Sequence, residues 1–394
     1  MDSSNKLFLL DAYALIYRAY YAFIKNPRIN SKGFNTSAIL GFVNTLEEVL
    51  KKENPTHIGV AFDPAGPTFR HEAFEQYKAQ REETPEAIRL SVPIIKDIIR
   101  AYRIPILEVA GYEADDVIGT LATEAGRQGI TTYMMTPDKD YGQLVSDKVF
   151  MYRPKHTGGF EVMGVEEVKA KFDIQSPAQV IDMLGLMGDS SDNIPGCPGV
   201  GEKTAQKLIS EFGSIENLLE HTDQLKGALK TKVETNREMI TFSKFLATIK
   251  IDVPIQLEMD SLVREEADED SLRSIFEELE FRTLIDRVLK KEVSGNGITS
   301  TPGSKVATGK SAPSPLPLFP EEGGGIQVDL FANFTPNEPN EAKKSNLETL
   351  ESQPHNYQLI DTEEKRRTII QKLLTSKILS LDTETTGTEP MDAE

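Results

Sequence analysis

Three apolar runs in the first 140 residues each stop at aspartate. KLFLL (6–10) runs into Asp11, THIGVAF (56–62) into Asp63, and ITTYMM (130–135) reaches the pair Asp138 and Asp140. Such runs alternate with helical stretches that extend to about Phe23, over 91–101 and over Ala114–Gln128. This β–α alternation predicts an α/β fold with a mainly parallel central sheet and helices on both faces. IPILEVA (104–110) and DKVFMYR (147–153) add strands, and from about 160 to 292 the pattern turns helical with no clear strand. Parallel strands present their carboxyl ends on one edge, where open sheets of this class build their sites. Aspartates far apart in the chain are therefore expected in one place.

Two further acidic groups join them. GYEADD brings Glu113, Asp115 and Asp116 to a predicted helix start, and GDSSDN holds Asp189 and Asp192 three apart, on one face if that turn is helical. Singly, each has an ordinary explanation: a helix-start acid favoured by the dipole for Asp116, an N-cap for Asp11, turn or cap residues for Asp189 and Asp192. That all five groups fall at strand ends or helix starts argues for a shared site. Crowded carboxylates raise one another's pKa unless a cation is present. Oxygen ligands without nearby His or Cys suit Mg²⁺ or Mn²⁺ rather than zinc. Two such ions would activate a water and stabilise the leaving oxygen of a phosphodiester.

Composition sharpens this. Lys+Arg 44 against Asp+Glu 62 gives a net charge of −18, which argues against a general nucleic-acid binder. The charge suits either acids gathered in a pocket or an acidic, solubilising surface. One cysteine, Cys197, and 5 histidines supply no internal disulfide and no zinc cluster. No apolar run approaches the ~20 residues of a membrane helix, and the start has no basic segment ahead of an apolar core. A soluble, cytoplasmic protein with no membrane partner is expected.

Basic residues flank the acids. After Asp63, Arg70, Lys78 and Arg81 are interleaved with Phe69, Phe74 and Tyr77. Lys78 and Arg81 lie three apart, on one side of a possible helix. The stretch can hold a scissile phosphate and stack a base, or be a solvated helix face whose charge Glu72, Glu75, Glu82 and Glu83 offset. Further on, Gly199-Val200-Gly201 precedes a helix starting near Glu202, an arrangement that lets backbone approach a phosphate. A dinucleotide site competes with this reading, but no strand precedes the glycines.

The strings LLDAYALIYR, FDPAGPTFRHE, YKAQR, GYEADD, TPDKD and GDSSDNIPGCPGVGEKTA, in that order across about residues 5–290, together resemble the 5′ nucleases of bacterial DNA polymerase I, within the flap endonuclease superfamily. The resemblance implies a PIN-like nuclease core over 1–175 with a helical arch near 66–90, and a helix-hairpin-helix subdomain over 176–292. It implies a two-metal 5′-3′ exonuclease and structure-specific flap endonuclease acting on nicked or branched duplex DNA with a 5′ flap and on RNA primers. Carried over by motif, the metal ligands are Asp11, Asp63, Glu113, Asp115, Asp116, Asp138, Asp140, Asp189 and Asp192. The first Mg²⁺ would lean on Asp11, Asp63 and Glu113, the second on Asp138, Asp140 and Asp192, with Asp115 near both; Mn²⁺ would substitute. Lys78 and Arg81 match the catalytic, phosphate-gripping positions at the base of the arch, with Arg70 and Tyr77 beside them on the DNA. Gly199, Gly201, Lys203 and Thr204 match the hairpin that holds duplex, where K⁺ is also implied. A branched-DNA clamp without chemistry is the alternative; the complete acid set opposes it, since a pure binder gains nothing from repelling DNA.

Composition breaks near residue 293. Residues 293–355, dominated by Gly, Ser, Pro, Thr, Asn and Glu, read as a flexible linker. Within it, Gln327, Leu330 and Phe331 resemble the short peptide by which bacterial replication proteins dock on the sliding clamp. TEEKRRTIIQKLLTS then reads as helical. LSLDTETTG, with Asp382 and Glu384, resembles the first motif of a proofreading 3′-5′ exonuclease, so 356–394 reads as the incomplete start of an RNase H-like domain. No proofreading or polymerase activity is expected of this chain, which is expected to be a monomer.

Overall fold

The structure, a computed structural model, describes residues 5–155, 159–289 and 362–374. The chain forms two compact units, Met1–Phe334 and Thr335–Glu394. In the first, β1 (Lys6–Asp11), β2 (His57–Ala61), β3 (Ile106–Leu107), β4 (Thr131–Met135), β5 (Val149–Pro154) and β6 (Phe160–Met163) build one sheet in the order β3-β2-β1-β4-β5-β6. Every pairing is parallel except β5 with β6.

Alternation along the strands creates two cores. Leu7, Leu9, Met134 and Met151 point to one face, and Phe8, Leu10, Met135 and Tyr152 to the other. The second face is covered by α1 (Ala12–Ala22), α2 (Ser37–Lys52), α4 (Glu86–Ala101), α12 (Glu269–Glu278) and α13 (Arg282–Leu289). Between β2 and α4 the described helix is a short one of five residues, α3 (Phe69–Ala73). The first face is covered by α5 (Ala114–Arg127) and by the helical region α6 (Val165–Phe172), α7 (Gln179–Met187), α8 (Glu202–Phe212), α9 (Ile215–Glu220), α10 (Gly227–Thr235) and α11 (Arg237–Ala247). The helices thus lie on both faces, as the alternation predicts.

Strand order sets the site. The chain moves outward from β1 to β2 and β3, then returns through α5 to β4 on the other side of β1. That reversal opens a crevice at the carboxyl ends of β1 and β4.

Several local expectations change. A strand, β6, follows residue 160; it is a four-residue edge strand paired antiparallel to β5, too short to leave a period in the sequence. IPILEVA contributes only Ile106–Leu107 to the sheet. The helix expected over 91–101 begins at Glu86 and tolerates Pro93 within it. The segment expected to be a helical arch has only α3 and the start of α4 as helix. Residues 74–85 are turns and irregular backbone, and Lys78 has φ +55, so Lys78 and Arg81 do not share a helix face. Asp189 and Asp192 also lie off any helix, in a loop closed by the antiparallel bridge between Asp189 and Ile194.

In the second unit, α14 (Glu363–Leu374) falls where TEEKRRTIIQKLLTS reads as helical. The linker 293–355, the clamp-like Gln327, Leu330 and Phe331, and Asp382 and Glu384 lie outside the described residues.

Candidate active site

Asp11 ends β1 and simultaneously N-caps α1, its Oδ1 accepting from Ala14 N at 3.1 Å. Its other oxygen accepts from Thr136 Oγ1 at 3.1 Å and the Tyr141 hydroxyl at 3.3 Å. Asp63, just past β2, accepts from Ala114 N at the start of α5 at 2.7 Å. Past β4, Asp138 opens a 3₁₀ turn over Lys139–Leu144, accepting from Asp140 N at 2.9 Å. The 189–194 loop supplies Asp189 and Asp192. Strand ends, one helix start and one loop thus bring the five acidic groups to the carboxyl edge of the sheet.

Burial and mutual repulsion strain these carboxylates. Burial, with Asp63 and Asp138 adding, pushes Asp11 up to about 7. Burial, with Asp192 and Asp189 adding, pushes Asp138 up to about 6. Asp140 and Asp115 go well above the usual carboxylate range, first through burial, then through Asp138 for the former and Asp116 for the latter. Asp63 is raised chiefly by burial. Each such shift marks a carboxylate whose charge lacks compensation. Glu113 and Asp192 go the other way: burial opposes ionisation, but Lys78 with Arg70 holds Glu113 down, and Lys78 with Arg81 holds Asp192 down.

The cations are inside the cluster. Lys78 Nζ lies 2.9 Å from Glu113 Oε1 and 3.7 Å from Asp192 Oδ2. Arg81 reaches Asp192 Oδ1 at 2.6 Å, and Lys139 reaches Asp189 Oδ2 at 3.0 Å. Backbone fastens the same turn: Lys78 N donates to Asp192 O at 3.0 Å, Gln80 Nε2 to Ser190 O at 2.6 Å and Asn193 Nδ2 to Gln76 O at 2.6 Å. Segment 76–81 is therefore latched onto the 189–193 loop.

Three expectations are corrected here. Asp116 is not available as a metal ligand: Oδ2 accepts from Arg70 Nη1 at 2.8 Å and Glu113 N at 3.1 Å, and Oδ1 from Arg70 Nη2 and Lys250 N, each at 2.8 Å. Arg70 is not a DNA contact; it is 1% exposed and also donates to the carbonyls of Leu246 and Thr248. Tyr77 is 3% exposed and cannot stack a base; its hydroxyl lies 3.0 Å from both Glu113 Oε2 and Asp192 Oδ2 and shares its one proton between them. Arg70 and Tyr77 are internal props that set the acids. Thr136, Lys139, Tyr141 and Ser191, whose N and Oγ donate to Asp189 Oδ1 at 2.8 and 2.5 Å, act on the cluster without having been singled out in the sequence. Lys139, lying between Asp138 and Asp140, carried the one readable signal.

Among the described residues, no three Asp, Glu, His or Cys side chains already close on one point as a ligand shell. The donor set nonetheless fits hard divalent cations. It is all oxygen, and Asp115 Oδ1 and Asp140 Oδ1 are buried with no hydrogen-bond partner. Four cations, Arg70, Lys78, Arg81 and Lys139, stand among nine acids, which leaves the cluster negative.

The hairpin glycines lie in the loop between α7 and α8. Gly199 has φ +73, while Gly201 is the N-cap of α8 in extended backbone. Gly199, Gly201 and Lys203 are exposed and Thr204 is partly so.

Residues 6–173 match the family described as 5′-3′ exonuclease, N-terminal resolvase-like domain, and residues 175–270 match the 5′-3′ exonuclease C-terminal SAM fold. DNA polymerase I of Bacillus caldotenax is 42% identical over 287 residues, 72% of this chain and 32% of that protein. DNA polymerase I of Bacillus subtilis (strain 168) is 43% identical over 291 residues, 73% of this chain and 33% of that protein. DNA polymerase I of Chloroflexus aurantiacus is 35% identical over 393 residues, 98% of this chain and 39% of that protein. The chain thus spans about a third of the length of the curated relatives it matches. Among solved structures, T5 5′-exonuclease with bound zinc has a TM-score of 0.52 at 21% identity, over 70% of this chain and 98% of that one. The catalytic core of Rad2 in complex with DNA substrate has a TM-score of 0.51 at 18% identity, over 73% of this chain and 93% of that one. At these identities the likeness is one of fold.

Proposed function

The chain belongs to the 5′-3′ exonuclease family, and from that premise we propose that its acid cluster hydrolyses phosphodiester bonds at 5′ ends and 5′ flaps of nicked or branched duplex DNA, RNA primers included. The observation that carries this is the gathering of acids at the sheet edge with two buried oxygens, Asp115 Oδ1 and Asp140 Oδ1, that have no hydrogen-bond partner, although Arg70 Nη1 stands 3.9 Å from the first. Two Mg²⁺ ions, or Mn²⁺ in their place, would be held by Asp11, Asp63, Glu113 and Asp115 on one side and Asp138, Asp140, Asp189 and Asp192 on the other. When bound, such ions supply an activated water and charge stabilisation at the leaving oxygen.

The protein's own groups do the positioning. Thr136 and Tyr141 fix one oxygen of Asp11, and Ala14 N the other. Arg70 holds Asp116 at two points and so fixes the first turn of α5, from which Glu113 and Asp115 project. Tyr77 spans Glu113 and Asp192 and ties the two halves of the cluster together. Lys78 is the charge that changes partners. A long side chain on a turn, it neutralises Glu113 and Asp192 here and, once cations take over those acids, is free to donate to the scissile phosphate. Arg81, about half exposed, is the second phosphate donor. The 199–204 hairpin holds the duplex through backbone and Lys203.

The setting is a cytoplasmic monomer, with the sliding clamp as a partner through Gln327, Leu330 and Phe331. No helix among the described residues is long and apolar enough to cross a membrane. The test incubates the chain with labelled 5′-flap DNA in Mg²⁺ and in EDTA and maps the cut. Cleavage near the flap junction in Mg²⁺ alone is expected. Binding without cleavage would leave a branched-DNA clamp instead.

A further inference from the structure

Lys139 differs from the other cations of the acid cluster in where it is anchored. It sits in the sequence between Asp138 and Asp140, inside the 3₁₀ turn that Asp138 caps by accepting from Asp140 N. Its Nζ lies 3.0 Å from Asp189 Oδ2, and both side chains are largely buried. The charges of Asp140 and Asp138 act on the same ammonium. Lys139 is thus a resident positive charge in the half of the cluster formed by Asp138, Asp140, Asp189 and Asp192.

The 189–194 loop has other fastenings than this pair. Asp189 exchanges both backbone hydrogen bonds with Ile194, at 2.9 and 2.8 Å. Asp189 Oδ1 accepts from Ser191 N at 2.8 Å and from Ser191 Oγ at 2.5 Å. Lys78 N, Gln80 and Asn193 tie the same loop to segment 76–81. What Lys139 adds to these bonds is charge. Two donors already fill Oδ1, so Oδ2 is the oxygen that Asp189 can offer a divalent ion. An ion that takes it shares it with an ammonium, and two cations on one oxygen repel.

We propose that Lys139 sets how tightly this side of the cluster holds its divalent ion: the ammonium competes for Asp189 and keeps the ion exchangeable. Affinity in all-oxygen sites follows the charge count of the ligands, and one fixed positive charge among these acids lowers it. Lys139 acts through Asp189 and is a positioning residue in that sense, touching neither the reacting phosphate nor the water. The assignment rests on the metal-dependent reading of the acid cluster.

The test titrates the full chain with Mn²⁺ in the absence of DNA and counts the free ion by electron paramagnetic resonance, with circular dichroism to verify folding. The proteins compared are the unaltered chain, Lys139→Met, Lys139→Gln, Lys139→Arg, and Lys139→Met combined with Asp189→Asn. The Met and Gln variants should each bind one Mn²⁺ about tenfold more tightly than the unaltered chain, because a like charge has gone. Lys139→Arg keeps the charge and should stay within about threefold. Asp189→Asn should cancel the gain of Lys139→Met. The Mn²⁺ concentration giving half-maximal single-turnover cleavage of flap DNA should fall by the same factor in the Met and Gln variants. A merely structural tie has the opposite sign, since breaking it loosens the loop and weakens the ion. The proposal falls if the neutral variants bind Mn²⁺ no more tightly than the unaltered chain, or if the gain survives Asp189→Asn. An unaltered chain that binds no Mn²⁺ and cuts no flap DNA takes the functional reading down as well. One that binds and cuts, while the Met and Gln variants change nothing, removes only the role of Lys139.

Discussion

The carboxyl edge of the sheet and the hairpin region handle positive charge in opposite ways. At the sheet edge, Arg70, Lys78, Arg81 and Lys139 each lie on a carboxylate, and the Arg70 pairs are buried. Around the hairpin, Lys203, Lys207 and Lys226 are exposed, and among the described residues none has a carboxylate within ion-pair distance. The difference follows from solvent. A buried charge must be paired, because desolvation costs several kcal/mol per ion. An exposed lysine is satisfied by water and counterions, which it can exchange for phosphate at a gain in entropy. Chemistry and affinity are therefore separable here, and a net charge of −18 is no obstacle to binding DNA locally.

The largest expected effect lies at the acid edge. Asp140→Ala removes a proposed ligand without touching the hairpin. Single-turnover cleavage in Mg²⁺ should fall by ~10³ or more while binding in EDTA stays within about threefold. Near-normal cutting would sink the assignment of the acids. Arg70→Met comes next, because it leaves the buried Asp116 without its charge partner and with only the Glu113 and Lys250 backbone donors. Unfolding in urea should show a loss of about 3–5 kcal/mol, whereas an exposed phosphate-binding arginine would cost almost nothing. Lys78→Ala should slow single-turnover cleavage by ~10² with a much smaller loss of binding. A proportionate loss in both would move Lys78 to the hairpin's class of docking residue.

Acidity gives a smaller, signed effect. Asp11 and Asp138 have folded-state values raised from 3.8 to about 7 and about 6. In the metal-free protein, the folded state keeps their protons while the unfolded state has lost them. Stability is therefore fullest below about pH 4 for these two groups and declines as pH rises through 6 and 7. In EDTA, Tm should fall between pH 5 and pH 8, Asp11→Asn should flatten that fall, and saturating Mg²⁺ should abolish it. A Tm unaffected by Mg²⁺ at pH 8 would contradict a cation-deficient cluster. The smallest effect belongs to the hairpin side: Lys207→Met should weaken flap binding a few-fold, reduce the salt slope by about 1, and leave the bound cleavage rate unchanged.

Much of this was legible in the chain itself. The β–α alternation and the aspartates closing three apolar runs determined the sheet, its covered faces and the edge where Asp11, Asp63 and Asp138 meet, because a parallel strand's carboxyl end has only one place to be. The glycines of the 199–201 turn and the helix after them were equally readable, since backbone freedom and helix starts are local properties. What the tertiary structure alone decided is which charges meet. Lys78 and Arg81 lie in non-helical backbone yet converge on Asp192, more than a hundred residues away. Arg70, one of several surface-like cations in sequence, is enclosed by Asp116, Leu246 and Thr248 from two distant segments. Lys232 finds Gly199 across the α8–α10 region. A residue's type fixes the charge it carries, but its partner and its access to water come from long-range packing, which no local period in a sequence records.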